Sequence, residues 1–330
     1  MHSLAQRLRS AIPLALLALA VVLSPARADD FPDRPITLMV PLAAGGGMDF
    51  IARTVAQKLT ERLGKPVLVE NRPGGGTIVA TVAEAKAPPD GYTLLLVPGS
   101  TLTTNATVYK SLPYDPRKDF VPIALTSEVA FTLVVNPSLP IHSVAELVKY
   151  AKEHPGELIV GTSGIGTTTH LAGEILANKM GIKLRYAHYR GSPPAMNDVV
   201  AGNIQMMFAD PVTGAELAKA GKVRALAVTS KHRISVFPDL PTIKEAGVPG
   251  YEATNWHMLL APAHTPDKIV EKLANEVHAV TALPDVHANI VKVGLLPRES
   301  PPLKDMPAFL DSEVTMWGKL IQQIGLAGTL

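Results

Sequence analysis

Cysteine is absent from the 330-residue sequence. Its absence excludes disulfides, thiolate metal sites, iron–sulfur clusters, cysteine nucleophiles and a lipid-modified N-terminal cysteine. Aromatic residues make up only 5% and charged residues 18%. No basic run occurs, and no aromatic residues interleave with basic ones, which argues against nucleic acid as a partner. After residue 28, no apolar stretch reaches the ~18 residues that a membrane span needs.

What is present is ample apolar material. Hydrophobic residues are 47% of the chain, enough to build a core, and the length suggests about two domains. The N-terminus is a separate case. Arg7 and Arg9 make a positive start, Ala11 to Leu23 is almost wholly apolar, and Ala26-Arg27-Ala28 fits a cleavage site. Residues 1–28 therefore read as a signal peptide cut between Ala28 and Asp29. That segment holds three Arg and no acid, so removing it leaves 28 basic and 29 acidic residues. The net charge of +2 then becomes about −1, and the apparent basicity belongs to the discarded piece.

Short apolar runs alternate with amphipathic stretches, the pattern of an α/β protein. Ile36 to Val40 reads as a first strand, and Ile51, Val55, Leu59 and Leu63 mark one face of a helix stopped by Gly64. Val67 to Val69 and Thr93 to Val97 read as further strands, with a helix over about Ile78 to Ala87 between them. Phe131 to Val135 is the next strand, and Ser143 with Glu146 forms a capping box. Strands follow near Leu158–Val160, Leu184–Tyr189, Ile204–Phe208 and Val223–Val228. Thr265-Pro266 is expected to cap another helix, and a last helix runs from about Met306 to Gln323.

Three strand-to-helix turns could carry chemistry: Gly45-Gly46-Gly47, Gly74-Gly75-Gly76, and Gly161 to Thr169. Each would present backbone N–H groups at a helix N-terminus, where unpaired donors and the dipole favour an anion. The third adds hydroxyls from Thr162, Ser163, Thr167 and Thr168. A carboxylate suits such donors, because neutral groups can hold it without a buried ion pair. The same residues also serve as ordinary tight turns and N-caps. Asp49 either caps its helix or meets a ligand hydroxyl or ammonium, and His170 is either a structural hydrogen bonder or a ligand contact. Named enzyme motifs fail: Ile165 breaks G-x-S-x-G, no Walker lysine follows a glycine loop, and no histidine pair has zinc-helix spacing.

An ordered set of motifs runs the length of the chain. They include Pro41 through Gly45-Gly46 to Asp49, Glu70-Asn71-Arg72-Pro73-Gly74, Pro89-Asp90-Gly91-Tyr92-Thr93-Leu94 and Leu112-Pro113-Tyr114-Asp115-Pro116. Further along come Gly161-Thr162-Ser163-Gly164 through His170-Leu171-Ala172-Gly173-Glu174, Tyr189-Arg190-Gly191, Pro238-Asp239-Leu240-Pro241-Thr242 and Leu260-Ala261-Pro262. In these the chain resembles the Bug family, the TctC-like periplasmic solute-binding receptors of tripartite tricarboxylate transporters.

The resemblance implies an α/β, two-lobed type II periplasmic-binding fold, with crossovers near Val129–Val135 and Tyr251–His257. Lobe one would span residues 29–130 plus 256–330, and lobe two residues 131–255. A small organic carboxylate would sit between them. It would be held by Gly45, Gly46, Gly47, Met48 and Asp49, by Ser100 and Thr101, by Thr162, Ser163, Gly166, Thr167 and Thr168, and by Tyr189 and Asp210 on the second lobe. The resemblance also implies a periplasmic location and a membrane permease as partner. No cofactor, metal or catalytic residue is expected, and the chain is expected to act as a monomer. A ligand-sensing subunit would share this fold and pocket. An exported hydrolase would need Ser163 and His170 as nucleophile and base.

Four positions depart from the family's common pattern: Leu42-Ala43-Ala44 replaces Phe-Pro-Pro, Met48 replaces a small polar residue, Thr77-Ile78-Val79-Ala80 replaces Gly-Asn-Ile-Gly, and Ala209-Asp210 replaces Asp-Asn. Three of these make the expected cleft less polar. They point to a carboxylate with an apolar or aromatic body, unless Met48 and Ile78 face the core.

Overall fold

The computed structural model describes residues 31–330; the expected signal peptide lies outside the described residues. The described residues form ten strands: β1 (Ile36–Val40), β2 (Val67–Asn71), β3 (Thr93–Pro98), β4 (Phe120–Ala130), β5 (Thr132–Val135), β6 (Ile159–Thr162), β7 (Arg185–His188), β8 (Met206–Ala209), β9 (Arg224–Val228) and β10 (Thr254–Pro262). They divide into two five-stranded sheets, ordered β2-β1-β3-β10-β4 and β7-β6-β8-β5-β9. In the first sheet, β1 pairs in parallel with β2 and β3, while β10 runs antiparallel to β3 and β4.

The helices follow the sheets. In the first lobe they are α1 (Gly47–Leu63), α2 (Ile78–Ala85), and the short α3 (Gly99–Leu102) and α4 (Asn105–Val108). The second lobe holds α5 (Val144–Glu153), α6 (Thr168–Met180), α7 (Ser192–Ala201) and α8 (Pro211–Lys219). After β10 come α9 (Asp267–Thr281), α10 (Pro284–Lys292) and α11 (Met306–Gln323).

Local sequence explains most of these elements. In α1, Ile51, Val55 and Leu59 are buried one turn apart, and Gly64 ends the helix at φ +68°, returning its N–H to the Thr60 carbonyl. Leu94 to Val97 is buried on both faces, as a central strand covered on both sides requires. Ser143 Oγ accepts the Glu146 N–H at 3.1 Å, and the Glu146 carboxylate reaches back to the His142 N–H at 2.6 Å. Thr265 does not cap α9; its hydroxyl donates to the Pro262 carbonyl, and the helix begins at Asp267.

Two long strands escape the sequence reading. β4 contains Pro122, which argues against a strand, but β4 lies at the sheet edge, where a missing N–H is tolerated. β10 carries Asn255 and His257 among its apolar residues, which blurs its pattern. These two strands matter because they carry the lobe connections. The chain leaves the first sheet between Ala130 and Thr132 and returns between Val228 and Thr254. Thr254 and Asn255 already pair with Ala130 and Val129 of β4.

The lobes meet across the cleft. The Ala43 N–H donates to the Arg190 carbonyl at 2.8 Å, and the Gly47 N–H to Asp210 Oδ1 at 3.1 Å. Gly76, at φ +62°, lies so close to the second lobe that a Cβ built there would be 2.0 Å from the Ile165 carbonyl oxygen. Beside it, Val108 and Ile321 of the first lobe pack against Leu171 of α6.

One core residue defies its surroundings. Glu84 of α2 is fully buried, and neither carboxyl oxygen has a hydrogen-bond partner. Burial pushes its pKa from 4.5 up to about 8. Between those values the unfolded chain has lost this proton while the folded chain keeps it, so folding stability falls as pH rises through the window. Replacing Glu84 by Met, an apolar side chain of similar length, is expected to flatten this decline. At pH 8 the variant should be more stable than the wild type by on the order of 2 kcal/mol. Urea titrations at pH 5 and pH 8 measure the change, and an unaltered pH slope would show that Glu84 is solvated or paired in solution.

Candidate functional site

Two helix N-termini, one from each lobe, face the same space. β1 leads through a glycine turn into α1, whose N-cap is Gly46 and which has no side-chain cap. β6 leads into α6, whose N-cap Thr167 turns its hydroxyl away to the Gly164 carbonyl at 2.6 Å. The amides of Met48 and Asp49, and those of Thr168 and Thr169, therefore lack an acceptor among the described residues. Such amides carry the positive end of the helix dipole and suit an anion.

Hydroxyls surround the second terminus. Ser163 Oγ lies 3.2 Å from Thr167 Oγ1 and 2.9 Å from Thr169 Oγ1, and the Ser163 N–H donates to Thr169 Oγ1 at 2.9 Å. This closed ring holds the turn rigid. It also bears on a hydrolytic role. Ser163 engages hydroxyls, while His170 Nδ1 accepts the Gly166 N–H at 3.3 Å, so the two do not form a nucleophile–base pair.

The cleft occupies about 520 Å³ including its mouth. Its charged lining is acidic: Asp49 and Asp210 contribute, and no Lys or Arg does so among the described residues. Asp49 Oδ2 accepts the Gly45 N–H and Arg53 Nε, each at 3.0 Å. Burial works to raise its pKa, but the hydrogen bonds from Arg53, Gly45 and Asn71 hold the carboxyl below its ordinary value. Its Oδ1 is buried and unpartnered. Asp210 caps α8 by accepting the Thr213 N–H at 3.1 Å, and the same oxygen takes the Gly47 N–H of the other lobe. Burial pushes the Asp210 carboxyl up, against hydrogen bonds from Ser192, Thr213 and Gly47. Leu42, Met48, Pro98, Val129 and Phe131 supply apolar walls.

Of the residues expected from sequence, Gly46, Gly47, Met48, Asp49, Ser163, Thr167, Thr168 and Asp210 line this cleft. The geometry puts the others elsewhere. Gly45 stands behind it, tied to Asp49. Thr101 is buried against Thr77, hydroxyl to hydroxyl at 2.8 Å, and the Ser100 carbonyl accepts from Thr104 inside the first lobe. Thr162 bonds His188 at 2.9 Å, and Gly166 is tied to His170. Tyr189 gives its hydroxyl to Asp198 at 2.5 Å. The Gly74-Gly75-Gly76 turn is a lobe-to-lobe contact and not an anion cradle, because Gly76 abuts Ile165. Of the departures from the family pattern, Leu42, Ala43, Met48 and Asp210 line the cleft, whereas Ile78 and Ala209 do not.

Sequence reasoning missed Phe131, Thr169, Ser192, Asn255 and His257, all of which line the cleft. Asn255 and His257 left one signal, two polar residues alternating within an otherwise apolar run. No group of three or more His, Cys, Asp and Glu among the described residues is placed to hold a metal, and none of the described helices is long and apolar enough to cross a membrane.

Comparison with known proteins agrees with this geometry. The tripartite tricarboxylate transporter family receptor, TctC, matches residues 51–326. A protein encoded in the tcbD-tcbE intergenic region of Pseudomonas sp. strain P51 is 38% identical, over 95% of this chain and 94% of its own. Among solved structures, R. palustris Rpa4515 with adipate superposes with a TM-score of 0.86 at 36% identity, covering 90% of this chain and 99% of that one. The periplasmic binding protein BugD gives a TM-score of 0.85 at 33% identity, with the same coverage. BugD is a periplasmic binding protein, and the two-lobed α/β fold of this chain matches both structures. The chain belongs to the tripartite tricarboxylate transporter receptor family, TctC, whose members include the Bug proteins.

Proposed function

We propose that this chain is a periplasmic receptor that captures a small organic carboxylate between its lobes and delivers it to the membrane permease of a tripartite tricarboxylate-type transporter. The observation that carries the reading is the convergence of two uncapped helix N-termini, from opposite lobes, on a cleft with no Lys or Arg in its lining among the described residues. In this reading the amides of Met48, Asp49, Thr168 and Thr169 hold the carboxylate, the Ser163–Thr167–Thr169 hydroxyls position their turn, and Asp210 ties the closed lobes together. Each hydrogen bond to a charged group contributes about 1.5–3 kcal/mol. A ligand that gains such bonds from both lobes only when they close must favour the closed state. The receptor makes and breaks no bond, acts as a monomer, and reaches the periplasm by way of the signal peptide at residues 1–28. The adipate bound by the R. palustris relative supports a carboxylate as the ligand class.

Thermal-shift titration of the mature protein against mono- and dicarboxylates tests this reading. At least one carboxylate should raise the melting temperature progressively with concentration, as a ligand of the native state alone must. Failure of every carboxylate to do so would sink the proposal. Thr168→Phe, which places bulk in the cleft, is expected to weaken the best ligand by roughly tenfold or more while leaving the melting temperature of the free protein within a few degrees. Gly76→Ala is expected to lower affinity by a similar factor from a different place, because a Cβ there collides with Ile165 when the lobes close. Small-angle scattering at saturating ligand should then show a larger radius of gyration than the wild type.

A further inference from the structure

The floor of the cleft holds two polar side chains that the helix termini do not account for. Asn255 and His257 lie two residues apart on β10 and share a face, while Trp256 and Met258 between and after them pack into the opposite cluster. Both line the cleft, at only 7% and 4% exposure. The Asn255 side chain makes no hydrogen bond among the described residues. Among the described residues the His257 side chain bonds only through Nδ1, which lies 2.9 Å from Ser127 Oγ. The Asn255 amide and the second His257 ring nitrogen thus face the ligand space without a hydrogen-bond partner among the described residues, open to a polar group on the ligand.

Their chemistry is neutral. Burial pushes the His257 pKa down to about 4, so the ring is uncharged at physiological pH. Nε2 donates or accepts a hydrogen bond according to which nitrogen Ser127 engages. Asn255 offers a donor and an acceptor side by side. A second carboxylate on the ligand would find no cation here, only Asp49 and Asp210 elsewhere in the lining. The pair is also displaced from the helix ends. β1, which leads into α1, is separated from β10 by β3, so the two strands lie two spacings apart, roughly 10 Å. Leu42, Pro98, Val129 and Phe131 line the cleft with apolar surface.

We propose that Asn255 and His257 select the ligand, and that this ligand is a monocarboxylate with an apolar body and an uncharged hydrogen-bonding group, such as a hydroxyl, at the end remote from the carboxylate. The inference rests on the reading above that the helix termini hold the carboxylate. It adds the second pole and the side chains that read it.

The test is isothermal titration of the mature protein with unbranched alkanoates from butanoate to heptanoate, their ω-hydroxy counterparts and the matching diacids. The best ω-hydroxy acid should bind roughly tenfold or more tightly than the alkanoate of equal length, and more tightly than the diacid. Asn255→Leu and His257→Leu should each bring the hydroxy-to-alkanoate ratio close to one. His257→Gln, which preserves a donor and an acceptor, should retain part of the ratio. A wild-type ratio near one, a diacid as the tightest ligand, or leucine variants with an unchanged ratio each overturns the inference. If a leucine variant does not fold, the wild-type series decides alone. Alkanoate binding without hydroxyl preference removes only this inference, whereas no binding by any compound in the series removes the carboxylate reading with it.

Discussion

The constraint on which this molecule turns is the unpaired amide. A helix cannot satisfy its own first N–H groups. Here two helices expose those groups to one another's lobe across a cleft. Gly46 at one N-cap has no side chain to offer, and Thr167 at the other spends its hydroxyl on Gly164. One amide, that of Gly47, is met by Asp210 of the opposite lobe. The amides of Met48, Asp49, Thr168 and Thr169 are those to which the proposed reading assigns the carboxylate.

Neutral donors suit a receptor that must let go. A buried ion pair carries a desolvation penalty of several kcal/mol per ion, and its partners resist separation once dried. Amides and hydroxyls bind an anion less steeply and lose less when it departs. Placing acid instead of base in the lining tightens selection further. Asp49 is held ionised by Arg53 behind it, whereas burial pushes the Asp210 carboxyl up against the hydrogen bonds of Ser192, Thr213 and Gly47. A ligand with extra negative charge meets these groups and gains no cation in return.

Closure is discrete because the contact surfaces are close-fitting. Gly76 touches the Ile165 carbonyl with no room for a methyl group, and Leu171 of one lobe fills a pocket formed by Val108 and Ile321 of the other. Packed surfaces of this kind are either engaged or apart. The hinge is short: Phe131 alone separates β4 from β5, and Thr254 resumes the first sheet after the return. In the proposed reading, binding energy gathered at the helix termini acts on a two-position device.

Local pattern was enough for much of this. The four-residue spacing of Ile51, Val55 and Leu59, the Gly64 stop, the Ser143–Glu146 cap and the continuous apolar run of β3 all follow from neighbouring residues and stand in the structure. So do the glycine turns that open α1 and α6, since uncapped termini depend on which residues stand beside them. Position across the chain was not legible in that way. Nothing local separates the Gly74–Gly76 turn, which abuts the other lobe, from the Gly45–Gly47 turn, which faces the cleft. Thr101 and Thr162 have the same polarity as Ser163 and Thr168, yet the fold turns them to internal partners. Asn255 and His257 reach the cleft only because β10 returns from the second lobe to lie between β3 and β4, an arrangement set by pairing between residues more than a hundred positions apart. Sequence determined which elements form and where their open ends lie, because those are short-range matters of sterics and hydrogen bonding. Tertiary structure alone decided which ends converge, because convergence depends on strand order and on two lobes meeting face to face.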